Sequence, residues 1–172
     1  MRPYIESYIT VSPHIEYRTR KAVKSWGGVD EMDNIRELVY DHNKFAIEKR
    51  TIMICEDEPD VLLSFEQMLK SEFNIISVDS GEECIEKYVK EISRGNKIHL
   101  ILLDYKLSDM RGDSVARKIN ECSETKIILI SAYNIDDVVI KELVSGSYIS
   151  KYILKPVDTE RLINLIDEIL KN

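Results

Sequence analysis

Four separate apolar runs in this chain each end in polar residues capable of chemistry, and that repetition restricts the fold more than any other feature. Glu56 and Asp57 follow the run 51–55, Asp104 follows 98–103, Ser131 follows 126–130, and Lys155 with Pro156 follows 148–154. Short apolar runs bounded by polar or turn residues read as buried strands, and the amphipathic stretches between them read as helices. With a further run at 74–78, the pattern is a βα unit repeated five times. In an open parallel sheet the carboxyl ends of the strands share one edge, and ligands bind in the crevice there. Three carboxylates, a hydroxyl and an ammonium are therefore expected to meet at one site. That set suits a divalent cation beside a phosphoryl group.

The spacing predicts strands at 51–55, 74–78, 98–103, 126–130 and 148–153, with helices at about 59–71, 81–93, 113–121, 136–145 and 158–171. Pro59 suits a first helical turn, where its missing N–H costs nothing, and Asp158 is a candidate cap for the last helix. Ser80 and Glu83 form a capping-box pattern in which Glu83 is expected to reach back to the Ser80 amide. Residues 100–103 and 127–130 are apolar without alternation, as expected of central strands covered on both faces by helices. The run 74–78 is more polar, like an edge strand. The order 2-1-3-4-5 follows, a doubly wound α/β sheet whose switch point lies between the strands carrying Glu56-Asp57 and Asp104. Leu162, Ile163, Leu165, Ile166, Ile169 and Leu170 make a helical apolar stripe that reads as core, with a dimer contact on its outer edge as the alternative.

Crowded carboxylates repel one another and hold protons more tightly unless a cation sits among them. Mg²⁺ takes oxygen ligands, commonly one or two carboxylates with waters and a phosphate. Asp57 and Asp104 are the candidate direct ligands, with Glu56 acting through water. A carboxylate also serves as a nucleophile toward phosphorus, giving an acyl phosphate. Asp104, at the end of the most apolar strand, is the best candidate for that role. Phosphoryl transfer requires neutralisation of charge on three oxygens. Lys155 and the Ser131 hydroxyl each take a share, Lys155 pairing with Asp104 beforehand and with the phosphoryl group afterwards. Pro156 restricts Lys155 to extended backbone.

Taken together, Ile54-Cys55-Glu56-Asp57-Glu58-Pro59-Asp60, Leu102-Leu103-Asp104-Tyr105, Ile130-Ser131-Ala132 and Tyr152-Ile153-Leu154-Lys155-Pro156 resemble the receiver (CheY-like) domain of two-component response regulators. The resemblance covers residues 50–172 and implies a flavodoxin-like fold. It implies a magnesium-dependent phosphoprotein of phosphorelay signalling, with Asp104 phosphorylated by a histidine kinase or phosphotransfer protein. It implies metal ligation by Glu56, Asp57, Asp104 and the Lys106 backbone carbonyl, and switch roles for Ser131 and Tyr152. Lys106 and Tyr133 occupy the positions that tune acyl-phosphate lifetime in the family. The output surface it implies is the face of the fourth helix, fifth strand and fifth helix, open to a downstream protein target or a homodimer. Such a domain is not an enzyme beyond catalysing its own phosphorylation and dephosphorylation. Two departures are visible: Glu56 stands where Asp is frequent, and Ser108 where Pro is frequent.

The remaining features set outer limits. The chain has 172 residues, 44% of them hydrophobic, enough for one domain core with an appendage. Its net charge of -7 disfavours unspecific attraction to nucleic acid or anionic lipid. No apolar stretch reaches the roughly 20 residues that span a bilayer, and the first residues lack a signal-peptide core, so a cytoplasmic location is expected. Cys55, Cys84 and Cys122 lack paired spacing and read as reduced, mostly buried thiols. His14, His42 and His99 lack metal-ligand spacing, and His99 reads as structural or exposed. Residues 1–49 read as an N-terminal extension, with a helix over 31–48 capped by Asp30 and carrying Ile35, Leu38, Val39, His42, Phe45 and Ala46 on one side. Arg18, Arg20, Lys21 and Lys24 near Tyr17 and Trp26 read as a solvated arm rather than a nucleic-acid site, since no groove-reading motif accompanies them. Translation from Met32 would place that stretch outside the mature protein.

The chain ends at the last helical pattern, so a stand-alone receiver that signals through protein contact is expected. A phosphorylation-independent adaptor or dimerisation module with the same fold is the second reading. A phosphatase of the haloacid-dehalogenase type is a third, but that family has a second Asp two positions after the nucleophile. Lys106 stands there.

Overall fold

The structure is a computed structural model and describes residues 49–171. The helix expected over 31–48, the basic arm, His14 and His42 lie outside the described residues. Five strands alternate with five helices: β1 Thr51–Cys55, α1 Pro59–Leu69, β2 Asn74–Val78, α2 Gly81–Ser93, β3 Leu100–Asp104, α3 Gly112–Cys122, β4 Lys126–Ser131, α4 Asp137–Ser145, β5 Lys151–Leu154 and α5 Thr159–Lys171. All strand pairs are parallel and the order is β2-β1-β3-β4-β5, the doubly wound flavodoxin-like arrangement. β3 is buried along its whole length, while β2 is mostly half-buried at the edge.

Side-chain alternation along each strand divides the core into two layers. Met53, Cys55, Ile101, Leu103, Ile127 and Leu129 pack against Cys84 and Tyr88 of α2, Val115, Ala116 and Ile119 of α3, and Leu143 of α4. Ile52, Ile54, Leu100, Leu102, Ile128 and Ile130 face the other way, onto Phe65 and Leu69 of α1 and Leu162 and Ile166 of α5. Each fully buried aliphatic side chain contributes about 1.5–3 kcal/mol relative to exposure. The central strands are thereby held rigidly, and the loops at their carboxyl ends start from fixed points. The α5 stripe is core: Leu162 and Ile166 are fully buried, with Ile163, Leu165, Ile169 and Leu170 partly buried against the same layer.

Caps agree with local chemistry, with one correction. Pro59 occupies the first turn of α1, and the Arg161 N–H donates to the Asp158 carboxylate at 2.8 Å. Ser80 Oγ accepts the Glu83 N–H at 3.3 Å, but the Glu83 carboxylate reaches the Asp79 N–H, one residue before the expected amide.

Two strands begin later than the apolar runs that announce them. β3 starts at Leu100: His99 is tied to Thr51 twice, its N–H donating to the Thr51 carbonyl at 2.8 Å and its Nδ1 accepting the Thr51 N–H at 2.9 Å, and the paired register opens one residue on, at Ile52 and Leu100. It also runs one residue further and includes Asp104. β5 starts at Lys151 because the N–H groups of Tyr148 and Ile149 both bond to the Leu143 carbonyl, closing the end of α4 through Ser147 at φ 58°. Apolar Tyr148 and Ile149 plug the core without being strand. α1 ends at Leu69, two residues early, and Lys49 Nζ donates to the carbonyls of Lys70 and Ser71 just beyond it. Of the thiols, Cys55 and Cys84 are buried and Cys122 is exposed.

Gly112 is required by close approach. Its N–H donates to the Tyr105 carbonyl at 2.8 Å, and a Cβ there would lie 2.3 Å from the Asp104 carbonyl oxygen and 3.0 Å from Tyr105 Cα. Both obstacles are backbone and neither yields by a rotamer change. Gly112→Ala is expected to cost about 1–3 kcal/mol of stability, the range for overpacking a filled site. Urea unfolding reads this as a lowered midpoint, and an unchanged midpoint would contradict the packing described.

Candidate functional site

Each strand end delivers one part of the site. β1 hands Glu56 and Asp57 to the short loop before α1, β3 ends in Asp104, β4 ends in Ser131, and Lys155 directly follows β5. The register brings these ends level: Cys55 lies opposite Leu103, Asp104 opposite Ile130, and Ser131 opposite Leu154. The Lys155 N–H then donates to the Ser131 carbonyl at 2.8 Å, and the Lys155–Pro156 peptide is cis.

Glu56, Asp104 and Ser131 are buried, and Asp57 is half-buried. One oxygen from each of Glu56, Asp57 and Asp104 lies within 4.8 Å of the others. Lys155 Nζ sits 2.6 Å from Asp104 Oδ1 and 2.5 Å from Glu56 Oε2, so the ammonium bridges two acids rather than the single one anticipated. Asp104 Oδ2 accepts the Lys106 N–H at 2.6 Å. Burial pushes the Glu56 carboxyl above its ordinary range, with the Asp104 charge adding to the effect and Lys155 opposing it. Burial would lower the Lys155 ammonium, but its hydrogen bonds to Asp104 and Glu56 outweigh that and raise it.

Glu56 Oε1 is buried without a hydrogen-bond partner. An orphaned carboxylate oxygen is costly. It lies in a cluster where three acids face one ammonium, leaving negative charge in excess. This is a donor set that fits a hard divalent cation with oxygen ligands.

The remaining residues singled out in the sequence sit beside this cluster. Ser131 Oγ accepts the Tyr133 N–H at 3.0 Å, which leaves the hydroxyl proton for an acceptor. The half-buried Tyr152 donates its hydroxyl to the Tyr133 carbonyl at 2.9 Å. Tyr133 is 65% exposed and holds the Lys106 ammonium 5.5 Å from its ring centroid. Two participants were not visible in the sequence. Asp109 binds the N–H groups of Gly81 and Glu82, and Arg111 stacks on Tyr105 at 5.0 Å while pairing with Asp113 at 2.8 Å. The partners of Asp109 are 28 and 27 positions away, beyond any local pattern.

Among the described residues, no helix is long and apolar enough to cross a membrane. Comparison with known proteins agrees with the architecture. Residues 52–167 match the response regulator receiver domain family. The two-component response regulator ORR3 of Oryza sativa subsp. indica is 28% identical over 102 residues, 56% of this chain and 73% of that protein. The signal transduction histidine-protein kinase BarA of Escherichia coli K12 is 28% identical over 132 residues, 74% of this chain but only 13% of the kinase. The chain thus corresponds to a small part of that relative. A receiver domain protein from Methanospirillum hungatei JF-1 superposes with a TM-score of 0.63 at 26% identity, covering 72% of this chain and 94% of that one. A two-component response regulator from Clostridium difficile gives 0.62 at 26% identity over 72% and 98%. With the parallel sheet, the level strand ends and this match over most of its length, the chain belongs to the response regulator receiver domain family.

Proposed function

We propose that residues 50–172 act as a cytoplasmic phosphoacceptor switch, with residues 1–49 as an appended segment. Asp104 receives a phosphoryl group from a histidine kinase or phosphotransfer protein, and a protein contact carries the signal onward. The observation that carries this reading is the Lys155 ammonium lying 2.6 Å from Asp104 and 2.5 Å from Glu56 beside the orphaned Glu56 oxygen. An Asp104 oxygen attacks phosphorus, a P–O bond forms, and the bond to the donor's histidine nitrogen breaks. Asp57, Asp104, Glu56 and the Lys106 carbonyl would hold Mg²⁺. When bound, the ion neutralises charge on the phosphoryl oxygens. Lys155 exchanges its contact with Asp104 for the phosphoryl group, and Ser131 donates its hydroxyl to another phosphoryl oxygen.

Tyr152 follows because it is bonded to the same residue, Tyr133, that Ser131 contacts. The surface that responds is that of α4, β5 and α5, where Tyr133 precedes α4 and Val138 and Leu154 are exposed. A downstream protein docks there, with a second copy of this chain as the alternative occupant. Lys106 and Tyr133, stacked at the mouth of the site, set how readily water reaches the acyl phosphate.

Asp104→Asn should abolish phosphate uptake from acetyl phosphate with Mg²⁺, and persistent labelling would move the acceptor elsewhere. Lys155→Ala should retain the fold but take up phosphate poorly or fail to alter the amide spectrum around Tyr152; wild-type behaviour in both would remove Lys155 from the mechanism. A pH dependence follows from the raised Lys155 value. A cation whose pKa is higher folded than unfolded adds stability in full below its unfolded value, about 10.5, and loses it as pH rises through the folded value. The metal-free wild type should therefore lose stability above about pH 10.5 more steeply than Lys155→Met. Parallel thermal melts across that window check this, and identical slopes would contradict it.

A further inference from the structure

We infer that Asp109 is a positioning residue for the phosphoacceptor site, acting by clamping the loop between β3 and α3 onto the amino end of α2. The inference rests on the proposed role of Asp104 and adds a residue remote from the acid cluster. The loop leaves Asp104 and must turn within a few residues to start α3 at Gly112. At its base, Lys106 and Arg111 form an antiparallel bridge, and Gly112 donates to the Tyr105 carbonyl. Leu107 is buried in the core layer below, with Met110 packed against it.

The tip is held differently. Asp109 Oδ1 accepts the Gly81 N–H at 3.0 Å and Oδ2 accepts the Glu82 N–H at 2.9 Å, so both carboxylate oxygens engage the first turn of α2. These are N–H groups that a helix leaves without internal partners, and they favour a negative charge. Oδ1 also accepts the Met110 N–H at 2.9 Å, which shapes the turn itself. Gly81 lets the tip come this close: a Cβ there would lie 2.5 Å from Met110 Cγ and 2.8 Å from Val115 Cγ2.

What the clamp fixes is Lys106. Its N–H donates to Asp104 Oδ2 at 2.6 Å and so orients the reacting carboxylate, while its side chain reaches Tyr133. Only Leu107 and Ser108 lie between Lys106 and Asp109, and Leu107 is buried, so a shift of the tip has little slack to absorb it before it reaches the Lys106 peptide. Ser80, which caps α2 through the Glu83 N–H, leaves the Gly81 and Glu82 N–H groups to Asp109, so the two caps do not compete. Loss of the carboxylate should free the tip, loosen the Lys106 N–H from Asp104, and weaken cation uptake by the acid cluster.

The test uses the full chain as wild type, Asp109→Ala and Asp109→Asn, with Mg²⁺ alone as the probe for binding. In Asp109→Ala the Lys106 amide is expected to exchange with solvent about tenfold faster, and the Mg²⁺ half-saturation to rise about tenfold, the lower end for losing an outer partner of a ligand set. Asp109→Asn keeps one acceptor oxygen and should recover part of both effects. A purely structural cap would lower the thermal midpoint and the protection of α2 amides yet leave Lys106 exchange and Mg²⁺ half-saturation at wild-type values; that result overturns the inference. The exchange measurement needs no phosphate, so it decides the positioning role even in the case where wild type takes no label from acetyl phosphate. That separate failure would count against the phosphoacceptor reading.

Discussion

A single ammonium set between two buried carboxylates is the interaction on which this structure turns. Lys155 reaches Asp104 and Glu56 together only because β5, β3 and β1 end at one level, and each of those strands is fixed by its neighbours in the parallel ladder. Buried ion pairs gain little net stability, because the cost of removing both charges from water nearly cancels their attraction. Breaking one is expensive, since a charge is then left buried and alone. The cluster is accordingly poor glue but strong coupling. Any change of charge at Asp104 must be felt at Lys155, and through Lys155 at Glu56. With Asp57 included, three carboxylates with oxygens within 4.8 Å of one another share one ammonium, and the proposed metal and phosphoryl chemistry would meet at this one place.

The loop that follows Asp104 shows how much backbone is committed to that place. Asp104 is the last residue of β3, and its carbonyl oxygen lies against Gly112 so closely that a single added carbon cannot fit. Tyr105 donates its N–H to Ile130 of β4 at 2.8 Å and accepts from Gly112. The chain after Asp104 is thus turned back on itself and anchored to the neighbouring strand before it enters α3. Backbone tied at this many points restricts how far the Asp104 carboxylate can shift.

Much of this could be read from the amino acids because the informative signals are local. Continuous apolar runs such as 100–103 and 127–130, short and rich in β-branched and Leu side chains, suit central parallel strands, and Pro59, Ser80 and Asp158 mark helix starts by chemistry that acts within a single turn. The strand ends then follow, and with them the residues that meet at the site. What escaped was decided by contacts that strand and helix periodicity does not encode, some local and some far along the chain. Tyr148 and Ile149 look like strand but are taken up by the end of α4, and His99 looks like strand but gives its ring to the Thr51 N–H. Asp109 reads as an ordinary turn acid, since the N–H groups it binds belong to a helix that precedes it in the chain by almost 30 positions. The second partner of Lys155 was equally hidden: Glu56 is 99 positions away.

The proposed transmission has a physical bottleneck at Tyr133. Its N–H is held by Ser131 Oγ and its carbonyl by the Tyr152 hydroxyl, so one residue's backbone joins the Ser131 hydroxyl to the Tyr152 ring. If Ser131 turns to a phosphoryl oxygen, the bond to the Tyr133 N–H is lost or shared, and the carbonyl that Tyr152 holds moves with the same short segment. One hydrogen bond contributes about 0.5–1.5 kcal/mol net, so this lever alone biases a two-state surface by about tenfold at most. A shift from almost wholly one state to almost wholly the other needs about 5.5 kcal/mol. The missing part must come from groups that contact the phosphoryl group differently in the two states, of which Lys155 is the one with a full charge at stake. In the proposed scheme Ser131 and Tyr152 would therefore set the direction of the response, and Lys155 most of its size.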